Sequence, residues 1–473
     1  MGRRPGSAWL SALIAAAALC GCSGPLVATE PRELAVEEAV ALALESNPEL
    51  RFTRYDRQIA ASQYRLGVRS FLPSLSVSYS QNASVSYFNP DSRTRRIAVG
   101  VEQLIYDGGR RRYDREMQRL ALSFASTSYD HSVEELVLSV VTNYAEMLQL
   151  RQQRTILEEI YANALEQLAI AREEVALGES TEIDLLEIAL QVKDVEIEAD
   201  QTARREELVA LRFGRLVGLP ETILPVARGR INPAYSGSLE ETTVETYLAR
   251  ARLESLELVQ RRVELDNRRE ELERVRRRWI PAVSATAEVN VSGKSFPLTE
   301  PGFSLGLSLS FAAPVLPAET GVTVGRRGEL ERSTALTASG RPAENLEEIY
   351  SEEVALLAAQ RSRQGLLDFE SDISFTAREG LLQVEAALSA LELLREKAAL
   401  EERRRTVELL QLEVGEITRV KFVEGEIARA RLEVELLASV VGLFRSEVAL
   451  LGSLGLTGAS GDYDELIHRE TGG

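Results

Sequence analysis

From Pro73 the chain reads PSLSVSYSQNASVSY, and every second residue changes character. Leu75, Val77, Tyr79, Ala83, Val85 and Tyr87 share one parity, interrupted only by Gln81, while Ser74, Ser76, Ser78, Ser80, Asn82, Ser84 and Ser86 share the other. Alternation with period two describes a β-strand whose faces meet different surroundings. Two settings give such faces: the edge of a soluble sandwich, or a barrel strand with lipid on one side and a lumen on the other. Solvated strand faces usually carry Lys, Glu, Thr and Arg rather than a run of serines. Globular strands also average only about five or six residues. The pattern then recurs. RIAVGVEQLIY, AVSATAEVNVS and FSLGLSLSF each set Ile, Val, Leu, Ala or Phe against small, mostly polar residues, with Arg96, Glu102 and Glu288 the charged members of that second set. Four segments with the same two-faced character favour a membrane-spanning barrel wall.

The rest of the chain agrees. Beyond the N-terminus, no apolar run reaches the roughly eighteen residues that a spanning helix needs; the best, LLASVVGLF from Leu436, ends at Arg445. The N-terminus has Arg3 and Arg4, then the apolar WLSALIAAAAL, the layout of a signal peptide. Its end, LCGC, resembles the bacterial lipoprotein cleavage motif. That resemblance implies a signal of residues 1–21, acylation of Cys22 as with palmitate, and outer-membrane sorting from the non-acidic Ser23. A plain secretory signal is the alternative. Cys20 and Cys22 are the only cysteines, so the mature chain offers no disulfide, thiolate nucleophile or cysteine metal site. Its two histidines, His131 and His468, stand far apart, and no P-loop, GxGxxG with an acid, or GxSxG occurs. No catalytic residue, metal ligand or cofactor motif is therefore assigned, and an enzyme is not expected. The formal charge of −18 argues against a nucleic-acid partner.

The chain is also written twice. VEEAVALALESNPEL at Val36 aligns with VETYLARARLESLEL at Val244, an offset of 208 that also carries Pro73 to Pro281. LGESTEIDLLE aligns with VGEITRVKFVE at an offset of 237, which carries Gly178 to Gly415 and Gly218 to Gly455. The second offset is the larger, which places an insertion in the second half near 312–345, rich in Pro, Gly, Thr and Ser. Each half reads as helix, strand, strand, long helix, tight turn, helix. The opening helix is expected over 36–70. The long helices ending at Gly178 and Gly415 hold about 70 residues, roughly 105 Å. Narrow apolar stripes between Glu, Arg and Gln suit helices packed side by side in a hollow wall. Four strands cannot close a barrel, and open edges in lipid cost several kcal/mol per unpaired backbone group. The chain is therefore expected to oligomerise.

ALALESNPELRF, FLPSLSVSYS, QLIYDGGRRR, LGESTEIDLLEIALQ and the late VGLP, in this order and within a duplicated layout, resemble the TolC family of outer-membrane efflux proteins over about residues 34–456. The resemblance implies an α+β membrane protein. It would be a homotrimer with a twelve-stranded outer-membrane β-barrel, four strands per chain, continued by a long periplasmic α-helical barrel. It further implies a passive exit duct of a tripartite efflux or type I secretion system. An inner-membrane pump would supply the energy, and a periplasmic membrane-fusion adaptor would dock at the helical tips. The corresponding layout is a lipidated linker at 22–33, a first repeat at 34–220, an inter-repeat linker at 221–240, a second repeat at 241–456 and a flexible tail at 457–473. By the same resemblance Gly178, Glu179, Ser180 and Thr181, with Gly415, Glu416, Ile417 and Thr418, are the adaptor-contact candidates. Asp184 and Glu187 are candidates for an acidic periplasmic constriction that attracts cations; Asp184 could instead merely complement the helix dipole.

Two departures stand out. Lys421 occupies the position that matches Asp184, and no DGG follows the fourth strand. The segment in its place reads either as a looser barrel-to-tunnel transition or as a disordered insertion. A periplasmic coiled-coil adaptor or envelope scaffold is the competing function, although it would have no use for strands of this kind.

Overall fold

The computed structural model describes residues 30–84, 92–239, 244–277, 280–311, 317–327, 331–341, 349–456 and 463–468. The signal segment, Cys22 and Val85 to Tyr87 lie outside them. In chain order the elements are β1 (Glu30–Leu34), α1 (Val36–Ser46), α2 (Pro48–Gly67), β2 (Ser74–Ser84), β3 (Ser92–Tyr106), α3 (Arg110–Leu177) and α4 (Glu182–Val217). Then come β4 (Ile223–Ala227), β5 (Arg230–Ile231), α5 (Val244–Glu254), α6 (Leu256–Arg276), β6 (Ala282–Gly293) and β7 (Glu300–Phe311). The chain continues through β8 (Ala318–Arg327), β9 (Glu331–Gly340), α7 (Ser351–Val414), α8 (Arg419–Ser453), α9 (Tyr463–Leu466) and β10 (Ile467–His468).

The opening helix is broken, where one continuous helix was expected. Asn47 is extended, with φ −62° and ψ 123°, because proline at 48 disfavours a helical residue before it. The Asn47 side chain then accepts the amides of Glu49 and Leu50 at 2.8 and 3.1 Å, starting a new helix. Its repeat mate breaks at Ser255, which caps the Leu258 amide at 3.4 Å without a proline. The duplication is thus visible in the backbone: the starts of α1 and α5, β2 and β6, and β3 and β7 keep the first offset, and those of α4 and α8 keep the second.

The strands form one antiparallel sheet in the order β2-β3-β6-β7-β8-β9. The four expected strands are there in the expected arrangement, and among the described residues the same sheet carries two further strands, β8 and β9. In its described residues the inserted segment is ordered as strands rather than as a loose transition or a disordered insertion. Its described part, β8 and β9, is a hairpin whose first strand pairs with β7 from Gly302↔Arg327 to Phe311↔Ala318. The difference traces to the turn after each repeat's second strand. After β3, Gly108 and Gly109 take φ of 71° and 91°, while the Asp107 carboxylate accepts the amides of Gly109 and Arg111, both at 3.0 Å. Arg111 also binds Asp107 and the carbonyls of Ser70 and Leu104, so the strand turns at once into α3. No such DGG follows β7.

Helices α3 and α7, of 68 and 64 residues, are the two long columns, about 100 Å each at 1.5 Å per residue. Near the sheet the contacts run α2–α3–α6–α7; at the far end they run α4–α3–α8–α7, so four helices stand abreast at both levels. At mid-column β1 pairs parallel with β4 and β10 pairs with β5, making a clasp around the junction. Residues 463–468, expected within a flexible tail, belong to it. Leu466 and Ile467 are buried, and the Asn232 amide donates to the Leu466 carbonyl at 2.8 Å, because this apolar pair finds a ready pocket against the columns.

Tyr144, 1 % exposed and edge-on to Phe213, fixes the clasp to α3. Its hydroxyl lies 2.8 Å from the Leu34 carbonyl and 2.7 Å from that of Arg228, and it accepts the Arg228 amide at 2.8 Å. Burial raises its pKa to about 12, so it remains a donor throughout the physiological range. Tyr144→Phe would strand a buried amide and a carbonyl, and should cost about 1–3 kcal/mol. A lowered denaturation midpoint in detergent, with the far-ultraviolet spectrum retained, checks this.

Candidate channel wall and helical tips

The sheet separates apolar from small polar residues by parity in β2, β3, β6 and β7 and through the middle of β8. One row reads Leu75, Val101, Ala287, Leu305, Val324, Thr334; the adjacent row reads Ser76, Gly100, Glu288, Ser304, Gly325, Ser333. The apolar side chains are bare: Leu75 is 71 % exposed, Leu305 57 % and Leu336 74 %. An apolar face this continuous on a lone chain marks a surface meant for lipid or protein. The opposite face holds a hollow of about 280 Å³ lined mainly by its polar residues, among them Ser80, Arg96, Asn290, Ser292 and Ser333. On this face the Arg96 guanidinium donates to the Glu288 carboxylate across β3 and β6.

The outer edges of the helical layer are also apolar. Leu393, Leu400, Val407 and Val414 recur every seven residues on α7, and Ile183, Leu190 and Ile197 do so on α4; all are more than half exposed. A seven-residue repeat is the seam of a coiled coil, left here without its partner helix.

The two far tips share one backbone. Gly178 and Gly415 take φ of 80° and 79°, the left-handed conformation that closes α3 and α7. The Glu179 amide reaches back to the Glu174 carbonyl at 2.9 Å, and the Glu416 amide to the Gln411 carbonyl at 2.8 Å. Thr181 and Thr418 then cap α4 and α8, accepting the amides of Asp184 at 3.2 Å and Lys421 at 3.4 Å. Gly178, Glu179, Gly415, Glu416 and the two threonines are exposed, while Ser180 and Ile417 are half-buried. All eight candidates thus lie at one end of the columns.

The tips differ in charge. Asp184 completes a capping box: its Oδ2 accepts the Thr181 hydroxyl at 2.7 Å, the Thr181 amide at 3.2 Å and the Ser180 hydroxyl at 3.3 Å. These bonds, the Thr181 hydroxyl first, hold its pKa below the usual aspartate range. Capping and ionisation therefore reinforce each other. Glu187, one turn on, is exposed. Lys421 cannot return such a bond.

A clamp between the hairpins went unforeseen. Arg419, in the first turn of α8, binds Glu174, in the last turn of α3, through Nε at 3.1 Å and Nη2 at 2.5 Å, and Gln167 through Nη1 at 2.6 Å. Each charge sits at the unfavourable end of its own helix dipole, and the pair offsets both. That wrong-signed placement is the one hint available in the sequence, since 245 residues separate the partners.

Residues 39–213 match the outer membrane efflux protein family. The fold matches solved channels across most of the chain. CusC, described for its transmembrane channel formation, gives a TM-score of 0.70 at 15 % identity, covering 89 % of this chain and 92 % of that one. The Campylobacter jejuni CmeC outer membrane channel gives 0.67 at 13 %, covering 89 % and 86 %. The outer membrane protein VceC of Vibrio cholerae gives 0.67 at 12 %, covering 89 % and 96 %. No curated protein matches the sequence. Residues 39–213 thus carry the signature of outer membrane efflux proteins, and most of the chain shares the fold of solved outer-membrane channels. The matched family is one of efflux channels rather than enzymes.

A group whose pKa falls on folding stabilises the fold above its unfolded value and loses that effect as pH drops through the folded one. Protection of tip amides 181–184 against hydrogen exchange should therefore hold from neutral pH to about 4 and decline below it. Asp184→Ala should abolish this pH dependence, with protection low throughout; exchange read by mass spectrometry on the tip peptide checks it.

Proposed function

We propose that this chain is the outer-membrane duct of a tripartite efflux or secretion system, assembled as a homotrimer, anchored by lipid on Cys22 and spanning the membrane through its sheet. Substrates would arrive from an inner-membrane pump through a periplasmic adaptor and leave passively. The observation that carries this reading is the joining of a lipid-suited sheet to a four-helix layer about 100 Å long, whose edges expose coiled-coil seams. The α4 edge of one copy would pack against the α7 edge of the next, and three layers would close a tunnel with twelve helices around it.

The tips around Gly178 and Gly415 are the adaptor-facing end in this reading. Their exposed Glu179, Thr181, Glu416 and Thr418 are presented by rigid turns rather than loose loops, which suits docking. Asp184 and Glu187 would each appear three times at the narrow mouth, where like charges favour cations and divalent block.

Three measurements test the reading. Leu400→Glu combined with Val407→Glu places charges in the α7 seam; in detergent the variant should run as monomer where the unaltered chain runs as trimer. Glu179→Arg with Glu416→Arg should leave trimer and membrane insertion intact while abolishing adaptor cross-linking and efflux in cells. Asp184→Asn in planar bilayers should weaken cation preference and divalent block; unchanged conductance, selectivity and block remove the acidic constriction.

A further inference from the structure

We propose that the β8–β9 hairpin is part of the membrane wall itself, so that each copy supplies six strands and the seam between copies joins β9 of one to β2 of the next. This rests on the duct reading and adds what that reading leaves open: the breadth of the barrel and the strands that seal it.

The hairpin carries the wall's alternation through its middle, while Arg326 and Arg332, paired across it, fall on the apolar parity. Val322 and Val324 continue the apolar rows of Leu307 and Leu305, and Leu336 continues that of Val322. On the other face Gly321, Thr323, Gly325, Ser333 and Thr337 extend the small polar rows. The faces also interlock. Gly306 lies between Thr286 of β6 and Thr323 of β7's other neighbour, and a Cβ there would come within 2.5 and 3.3 Å of their hydroxyls. β8 is thus seated on β7 as β6 is. A hairpin merely resting against the sheet has no reason to keep this parity, since a slip of one residue would turn its valines into the lumen.

Width supports the same assignment. Four helices abreast, with roughly 8–10 Å between axes, cover about 32–40 Å of arc. Four strands spaced about 4.8 Å apart and tilted about 40° cover only about 25 Å, whereas six cover about 38 Å. The hairpin brings the sheet to the width of the helical layer beneath it. Direction is satisfied too. Strands alternate along the sheet, so β9 runs opposite to β2 and the two edges of successive copies can pair antiparallel. Three copies give eighteen strands, and a diameter of about 36 Å against about 24 Å for twelve.

Inter-chain disulfide formation tests the seam directly, because Cys20 and Cys22 are the only native cysteines and both precede the sheet. Ser333→Cys, Ala335→Cys and Thr337→Cys in β9 would each be combined with Ser74→Cys, Ser76→Cys or Ser78→Cys in β2, in the full-length protein in membranes, and oxidised with copper phenanthroline. At least one register of this set should yield inter-chain adducts. Ser304→Cys or Ser308→Cys in β7, combined with the same β2 positions, should yield none. Adducts from the β7 set, or none from either, overturn the proposal. Cryo-electron microscopy of the unaltered protein in nanodiscs provides the second readout: six wall strands per copy are expected, and four with the hairpin outside the wall overturn it. Neither readout involves an adaptor or pump, so a failure of docking at the tips leaves this test standing.

Discussion

A peptide group that loses water and finds no partner costs several kcal/mol in hydrocarbon, and every other property of this chain follows from avoiding that cost. A single copy cannot avoid it. Its sheet ends at β2 on one side and β9 on the other, and the apolar rows between those ends need cover from lipid or protein. Closure must come from further copies, and the helical layer is built for the same closure, since its edges carry unpartnered apolar repeats on α4 and α7. Wall and column therefore call for one assembly.

The two levels of the column are joined by polar chemistry away from either end. The clasp at mid-column gathers distant segments around two buried groups. Tyr144 ties β1 and the end of β4 to α3. Glu447, 2 % exposed on α8, accepts the Tyr235 hydroxyl at 2.5 Å and the Ser238 amide at 3.0 Å. A buried carboxylate is tolerable only when its lone pairs are filled, and here hydroxyls and amides fill them. Arg395 of α7 joins the same cluster by donating to the carbonyls of Pro233 and Tyr235.

Much of this was legible because periodicity and turn chemistry are local. Parity alone located β2, β3, β6 and β7, and glycine followed by a capping threonine located both tips. The two unequal offsets exposed the duplication and the extra segment in its second half. What that segment folds into was not legible. ETGVTVGRR is rich in glycine and threonine, which read as loop, yet those are the small residues a crowded lumen face requires. The break at Asn47 was missed although Asn-Pro announces it. The Arg419–Glu174 clamp and the burial of Leu466 and Ile467 depend on partners in the opposite half of the chain, and no local pattern contains them.

The likeness of the two tips stops at the backbone. One ends in a carboxylate folded into its own cap, the other in the lysine at 421. A threefold assembly would thus present six loops of like backbone but only threefold electrostatics, a capping carboxylate in three and a lysine at the matching position in the other three. Whatever docks on such a rim meets two kinds of seat, three of each.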